Sequence, residues 1–135
     1  MLDSKTELSK YRLDMAKEKL DSAKLLLENK SYKDSIGRSY YAIFTAARAL
    51  LAMEGEDFAR HTGVITYFQK NYIKTRVFDV KFSKYISTAF QIRNNTDYAD
   101  FYIVSQEDAQ EQYEHAVEFY ETMKAYLEMQ WKHDI

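Results

Sequence analysis

A short run at positions 93–98, Arg-Asn-Asn-Thr-Asp-Tyr, carries the side chains best suited to chemistry in this sequence. The apolar residues before it are spaced by four and three positions, as on one face of an α-helix: Phe82, Ile86 and Ala89. Arg93 continues this stripe where another apolar side chain is expected. Because a guanidinium is costly to bury unpaired, Arg93 must either meet an anion inside the fold or open onto a polar cleft.

Other polar side chains are predicted to lie near Arg93. Asp97 follows it by four residues and can pair with it if the helix extends that far. An arginine fork can hold a phosphate bidentately without cleaving anything. Four residues of an earlier predicted helix could border the same cleft: Asp34, Arg38, Tyr40 and Tyr41.

Composition excludes several other chemistries. The sequence has no cysteine, which removes thiolate catalysis and Cys-based zinc sites. Its histidines, His61, His115 and His133, are far apart and form no ligand pair, so we expect no metal and a solvated His115. The sequence contains no Gly-rich phosphate loop and no nucleophile elbow, and no cofactor is expected.

The sequence also bears on location. No apolar run approaches the roughly 20 residues of a membrane span, and positions 1–5 lack the apolar core of a signal peptide. The absence of disulfides is compatible with the reducing cytoplasm. We therefore expect a cytoplasmic protein that does not bind a membrane.

The fold class follows from the scarcity of helix breakers. There is no proline and there are three glycines, which favours long helices joined by short turns. Periodicity predicts an all-α, up-and-down bundle of about five helices, four long and one short. The expected limits are 5–29, 32–53, 61–73, 80–96 and 105 onward, with a loop at 97–104. We expect one domain over 1–135, with its core at about 5–131.

Helix ends are predicted from capping residues. Gly55 suits the left-handed position that follows a helix. Gly37 falls inside the second helix, where it costs about 1 kcal/mol relative to alanine, and a close helix crossing is expected to justify it. Four residues are expected N-caps: Ser4, Ser31, Asp79 and Ser105.

Charge is unevenly distributed along the sequence. Positions 70–93 contain six cations against Asp79 alone, whereas positions 97–128 contain nine acids against Lys124 alone. Such asymmetry can mark a nucleic-acid face. Alternatively, the two segments neutralise each other within one chain or across a dimer.

Several segments together resemble HEPN domains, the "higher eukaryotes and prokaryotes nucleotide-binding" family. Positions 38–44, Arg-Ser-Tyr-Tyr-Ala-Ile-Phe, with the alanines that follow and Gly55, resemble the family's second helix. His61, Val64 and Phe68 resemble its third helix. Positions 93–98 resemble the motif that closes its fourth helix. The resemblance covers about residues 8–128.

The resemblance implies a helical bundle that is commonly a homodimer. Many HEPN domains are metal-independent ribonucleases, often toxins paired with a nucleotidyltransferase antitoxin. Their motif is an arginine, a polar residue and, a few positions on, a histidine, and two chains bring their motifs together in the dimer cleft. Arg93 and Asn94 match the first part, but Tyr98 stands where the histidine is expected.

The lost histidine favours binding over cleavage. A tyrosine, with a reference pKa of about 10, is a poor replacement for histidine in proton transfer. We therefore expect a non-catalytic or degenerate HEPN domain. It would bind a nucleotide, RNA phosphate or a protein partner such as a nucleotidyltransferase through a dimer cleft around Arg93. The residues expected to bind the ligand are Arg93, Asn94, Asp97, Tyr98, Arg38, Tyr41 and His61.

Two alternatives remain open. One is a toxin-type ribonuclease with Arg93, Asn94 and Tyr98 as catalytic candidates, aided by Asp97 and by His61 of a second chain. The other is purely structural: Arg93 pairs inside the fold with Asp97 or Asp34, and the protein acts through a dimer surface. The expected dimer interface combines the aromatic-rich, small-residue face of the second helix with the end of the fourth.

Overall fold

The computed structural model describes residues 3–133, and this range contains helices joined by loops and no strand. The five α-helices are α1 (Ser4–Glu28), α2 (Tyr32–Met53), α3 (His61–Phe68), α4 (Val80–Tyr98) and α5 (Gln106–His133). The expected all-α bundle is therefore confirmed. Positions 1 and 135, the predicted limits of the domain, lie outside the described residues. So do the first two of the five positions that were predicted not to begin a signal peptide.

α2 is the central helix, and it packs against α1, α3, α4 and α5. Its alanines at 42, 46, 47 and 49 are fully buried because their small side chains allow α1 and α5 to approach closely. The prediction that this face forms a dimer interface is therefore wrong, since helices of the same chain already cover it. Burial of each larger apolar side chain contributes about 1.5–3 kcal/mol.

Aromatic side chains fill the rest of the core between α3, α4 and α5. Phe68 stacks on Tyr72 and Phe78 and contacts Phe119, with ring centroids 5.4–6.0 Å apart. Phe82 of α4 meets the same Phe119 ring at 6.0 Å. Offset and edge contacts of this kind stabilise beyond the area that they bury.

The connection after α3 is a π-helical turn, Gln69–Ile73, within the predicted short helix. Its first side chain reaches α4: Gln69 Nε2 donates to Ser83 Oγ at 3.0 Å and to Ser87 Oγ at 2.9 Å. These hydrogen bonds tie the third helical segment to the helix that carries Arg93.

Of the four predicted N-caps, Asp79 and Ser105 form side-chain hydrogen bonds, Ser31 occupies the N-cap position of α2 without one, and Ser4 is wrong. Asp79 accepts a hydrogen bond from the Lys81 amide at 2.9 Å, and the Asp108 amide donates to Ser105 Oγ at 3.0 Å. Ser4 lies inside α1, which Asp3 precedes. Ser31 makes no side-chain cap, because its backbone (φ −88°, ψ 69°) departs from the extended geometry that aims an N-cap side chain at the helix.

The α4 boundary differs from the prediction in a way that matters. The helix continues to Tyr98 instead of ending near Thr96, so the predicted 97–104 loop begins later. The added turn keeps Asp97 in helical register with Arg93. Gly55 has φ +70° just after α2, as predicted for a residue that ends a helix. Within residues 3–133, no helix is long and apolar enough to cross a membrane.

Candidate functional site

Arg93 lies near the end of α4 with its side chain 17% exposed. Its Nη2 donates to Tyr41 Oη on α2 at 3.0 Å. Its Nε lies 2.8 Å from Asp97 Oδ2. The Nε–H is nevertheless not aimed at any acceptor among the described residues, so this contact is an ion pair without an aligned hydrogen bond.

Three tyrosine rings hold the guanidinium in place. The Arg93 Cζ atom lies 5.8 Å from the ring centroid of Tyr40, 5.4 Å from that of Tyr41 and 5.9 Å from that of Tyr98. A cation over aromatic faces gains roughly 0.5–2 kcal/mol per contact, depending on how far it is desolvated. The charged end of Arg93 is therefore positioned by two helices before any ligand arrives.

Arg93 opens onto a groove of about 590 Å³ between α1, α2 and α4, here called the Arg93 groove. A Cβ built on Gly37 would meet nothing within 4 Å, so the expected close helix crossing is wrong and the glycine leaves the groove open. Three cations and two acids contribute to the wall. The lining residues are Leu26, Lys33, Asp34, Gly37, Arg38, Tyr41, Arg93 and Asp97.

The groove wall follows one face of α2. Asp34, Arg38 and Tyr41 are spaced by four and three positions, so helical geometry aligns them towards α4. Asp34 lines the groove but makes no ion pair with Arg93, which contradicts one of the two predicted internal partners. Lys33 and Gly37 were missed in the sequence, although their spacing of four from each other and of four to Tyr41 places them on the same face.

Two of the other predicted site residues lie at the margin of the groove. Tyr98 is 75% exposed and touches the site only through its ring contact with Arg93. Asn94 is half-buried on α4 and is not part of the groove wall. Four of the predicted site residues therefore line the groove, whereas Asn94 and Tyr98 do not. The four are Arg93, Asp97, Arg38 and Tyr41.

His61, at the start of α3, lies across the Tyr40–Tyr41 pair from Arg93. Its Nδ1 is 2.7 Å from Tyr40 Oη. The imidazole centroid is 5.8 Å from the Tyr40 ring and 6.3 Å from the Tyr41 ring, and both rings also contact Arg93. His61 therefore approaches the site within one chain and needs no second copy to do so.

The titration of His61 and Tyr40 follows from this packing. Burial, together with the positive charges of Arg93 and Arg48, lowers the pKa of His61 below its usual 6.5. Burial raises the pKa of Tyr40, which therefore keeps its proton. The direction of the bond between Tyr40 Oη and His61 Nδ1 depends on the imidazole tautomer: a phenol that donates to Nδ1 places the imidazole proton on Nε2.

The described residues offer no metal site. They contain no group of three or more His, Asp or Glu side chains that could hold a metal ion. The prediction that His115 is solvated is wrong: its ring stacks on Tyr85 with centroids 4.1 Å apart, and Nε2 is 3.7 Å from Glu111 Oε1. Part of the predicted charge neutralisation is seen beside it, where Lys81 of α4 pairs with Glu118 of α5.

An all-helical bundle with Arg93 near the end of its fourth helix is the arrangement that the sequence resemblance implied. The HEPN domain family model matches residues 9–126, and the chain belongs to this family.

The chain is similar to proteins that bear two kinds of name, UPF0332 protein and "Putative toxin". A UPF0332 protein of Thermotoga maritima is 29% identical over 127 residues, 94% of this chain and 96% of that protein. A protein of Methanocaldococcus jannaschii whose name reads "Putative toxin" is 31% identical over 106 residues, 78% of this chain and 71% of that protein. A UPF0332 protein of Pyrococcus horikoshii is 38% identical over 86 residues, 64% of this chain and 60% of that protein.

The electrostatic link between Arg93 and His61 can be measured directly. In nitrogen-detected NMR titrations we expect His61 to titrate below 6.5, with Nδ1 as the unprotonated nitrogen. Arg93→Gln removes a positive charge and should raise the pKa of His61. Lys84→Gln, an equal charge change at an exposed position of α4, should leave it unchanged. A pKa of His61 that ignores Arg93→Gln would contradict the observed arrangement.

Proposed function

We propose that this HEPN domain binds the phosphate of a nucleotide or of RNA at Arg93 without cleaving it. The observation that carries the proposal is a guanidinium fixed by Tyr41 and three aromatic rings yet opening onto a groove. Arg38 and Lys33 add positive charge to the same wall. A preorganised arginine fork is suited to bidentate binding of phosphate oxygens.

The ion pair with Asp97 leaves Arg93 available. Asp97 is 42% exposed, and its oxygen is not aligned with the Nε–H. Ion pairs of this exposed kind contribute roughly 0–1 kcal/mol, so a phosphate can displace the carboxylate at small cost. A purely structural role for Arg93 would favour a buried and well-aligned carboxylate partner instead.

The proposal of binding without cleavage rests on the proton-transfer groups. Tyr98 occupies the place of the motif histidine and is exposed, so an imidazole that could act as general base is missing at that position. His61 has an imidazole, but its Nδ1 is engaged with Tyr40 Oη at 2.7 Å, and within residues 3–133 it makes no hydrogen bond to Arg93.

Substitution of Arg93 tests the binding site. Arg93→Ala should weaken binding of nucleoside monophosphates or short RNA by about ten- to a hundredfold, because charge-assisted hydrogen bonds contribute about 1.5–3 kcal/mol. Arg93→Lys should recover only part of this loss, since an ammonium cannot form the planar fork. Isothermal titration calorimetry provides the measurement and Lys84→Ala the control. Equal affinities for wild type and Arg93→Ala would reject the proposal.

A toxin-type ribonuclease is the second candidate. Two observations favour it: a relative bears the name "Putative toxin", and His61 contacts the same tyrosine pair as Arg93 within one chain. Incubation of the purified protein with end-labelled RNA separates the candidates. We expect no cleavage. Cleavage that disappears in both Arg93→Ala and His61→Ala would favour the ribonuclease, with Asn94, Asp97 and Tyr98 as its remaining candidates.

We also propose a homodimer that uses the end of α4. The loop that follows carries Phe101 at 100% and Ile103 at 87% exposure, beside Tyr98. Exposed apolar residues concentrated in one segment commonly mark a protein interface. Multi-angle light scattering at micromolar concentration should give twice the chain mass for wild type and one chain mass for Phe101→Asp/Ile103→Asp. A wild-type protein that is monomeric alone and assembles only with a nucleotidyltransferase would contradict the homodimer and indicate that this surface binds that partner.

A further inference from the structure

A second groove, of about 420 Å³, lies farther along the same face of α2. Phe44 and Arg48 follow Tyr41 at spacings of three and four, so they continue the stripe that borders the Arg93 groove. His61 is part of its wall and contacts the Tyr40–Tyr41 pair from that side. The lining residues of this groove, here called the His61 groove, are Phe44, Arg48, Asp57, Phe58, Ala59 and His61.

The loop between α2 and α3 that forms the outer wall is held by one shared carboxylate. Asp57 Oδ2 accepts from Arg12 Nη2 at 3.0 Å and from Arg48 Nη2 at 2.9 Å. Its Oδ1 accepts from the Phe58 amide at 2.9 Å. Burial alone would raise the pKa of Asp57, but the bonds from Arg48, Phe58 and Arg12 lower it below its usual value, so the carboxylate stays charged.

A glycine sets the position of the Phe58 ring. A Cβ added to Gly63 on α3 would lie 2.9 Å from Phe58 Cβ and 3.1 Å from Cγ, which no real Cβ tolerates. The missing side chain at position 63 therefore allows Phe58 to lie directly against α3. In that position Phe58 is 39% exposed, so part of its surface is free to contact a ligand.

The wall combines aromatic surfaces with hydrogen-bond donors. The His61 ring packs on Phe44 with centroids 4.1 Å apart, and Phe58 is exposed on the opposite wall. When the Tyr40 phenol donates to Nδ1, His61 Nε2 carries the imidazole proton, and Nε2 makes no hydrogen bond among the described residues. The Arg48 side chain is one-third exposed and adds positive charge to the wall, whereas its Nε–H is buried and has no partner in residues 3–133.

From this arrangement we propose that the His61 groove binds the base of the nucleotide whose phosphate is held at Arg93. A nucleobase is flat, stacks on aromatic rings and carries acceptors at its edge that match these donors. The assignment rests on the proposed phosphate site and adds a second subsite to it. The Tyr40 ring lies 5.8 Å both from the Arg93 guanidinium carbon and from the His61 ring, so one buried side chain contacts a wall residue of each groove. The proposal places one ligand across both grooves.

The charge coupling between the two grooves agrees with a shared ligand. The positive charges of Arg93 and Arg48 help to lower the pKa of His61. A bound phosphate neutralises part of that charge, so occupancy of the first groove alters the electrostatics of the second. His61 then acts as a reporter of binding even where it makes no direct bond to phosphate.

Calorimetry with two probes separates the subsites. Phe58→Ala should weaken binding of nucleoside monophosphates by about five- to a hundredfold, the range for loss of one base stack. The same variant should leave the affinity for inorganic phosphate unchanged, whereas Arg93→Ala should weaken both. Tyr11→Ala, which removes an exposed ring on α1, is the matched control. Phe58→Tyr should restore nucleotide affinity, since it keeps the ring.

Each outcome bears on one of the two sites. Nucleotide binding that is lost in Arg93→Ala and unchanged in Phe58→Ala would overturn the base subsite and leave the phosphate site standing. A nucleotide affinity that is unchanged in Arg93→Ala but lower in Phe58→Ala would reject the phosphate site and support the base subsite. NMR on the wild-type protein tests the base subsite without relying on the folding of a variant. Addition of a nucleotide should shift the signals of Phe58 and His61. Shifts confined to residues of the Arg93 groove would also overturn the inference.

The same calorimetry, extended to a trinucleotide, shows whether the two grooves bind a free nucleotide or one nucleotide of an RNA strand. A trinucleotide that binds more tightly than any monophosphate, with the same dependence on Phe58, indicates that the grooves accept a strand. Equal affinities indicate that the base groove serves a single nucleotide. Failure of every monophosphate and the trinucleotide to bind wild type would overturn the inference.

Discussion

The structure of the site depends on how one guanidinium is accommodated in an otherwise apolar stripe. Phe82, Ile86 and Ala89 bury against the bundle, and Arg93 follows them at the same spacing. Its charge is compensated by a phenol oxygen from α2, by aromatic rings and by a carboxylate one turn later. Because these partners come from two helices, the position of the arginine reports how α2 and α4 are packed.

α2 performs two tasks on two faces. Its alanine face is fully buried and lets neighbouring helices approach, which fixes the helix in the bundle. Its other face carries the polar and aromatic residues of both grooves, from Asp34 to Arg48. The precision of the site therefore comes from the same packing that stabilises the fold, as expected when functional side chains project from rigid elements.

Much of the fold was predictable because helical periodicity is a local signal. The helices were anticipated to within a few residues, and Asp79, Ser105 and Gly55 ended or began helices as expected. Local patterns also predicted that the alanine face of α2 is buried. They could not tell which helix buries it, and for that reason the interface was assigned to a second chain although α1 and α5 cover it.

Less of the site than of the fold could be predicted from the sequence. The alignment of Asp34, Arg38 and Tyr41 follows from spacing, but the proximity of His61 to the same tyrosines arises from the packing of α3 on α2, which no local pattern encodes. The role of Gly37 was misjudged for a similar reason. A glycine in a helix indicates that a side chain is unwelcome, without showing whether a helix or an open groove lies beside it.

The mixture of charges around the Arg93 groove has a kinetic consequence. Three cations of the wall face two acids, and the whole chain has a net charge of −2, so little positive potential extends into solvent. Long-range attraction therefore gives polyanions no accelerated approach, and counterion release contributes little to their affinity. Any discrimination between ligands at such a surface would therefore come from short-range fit.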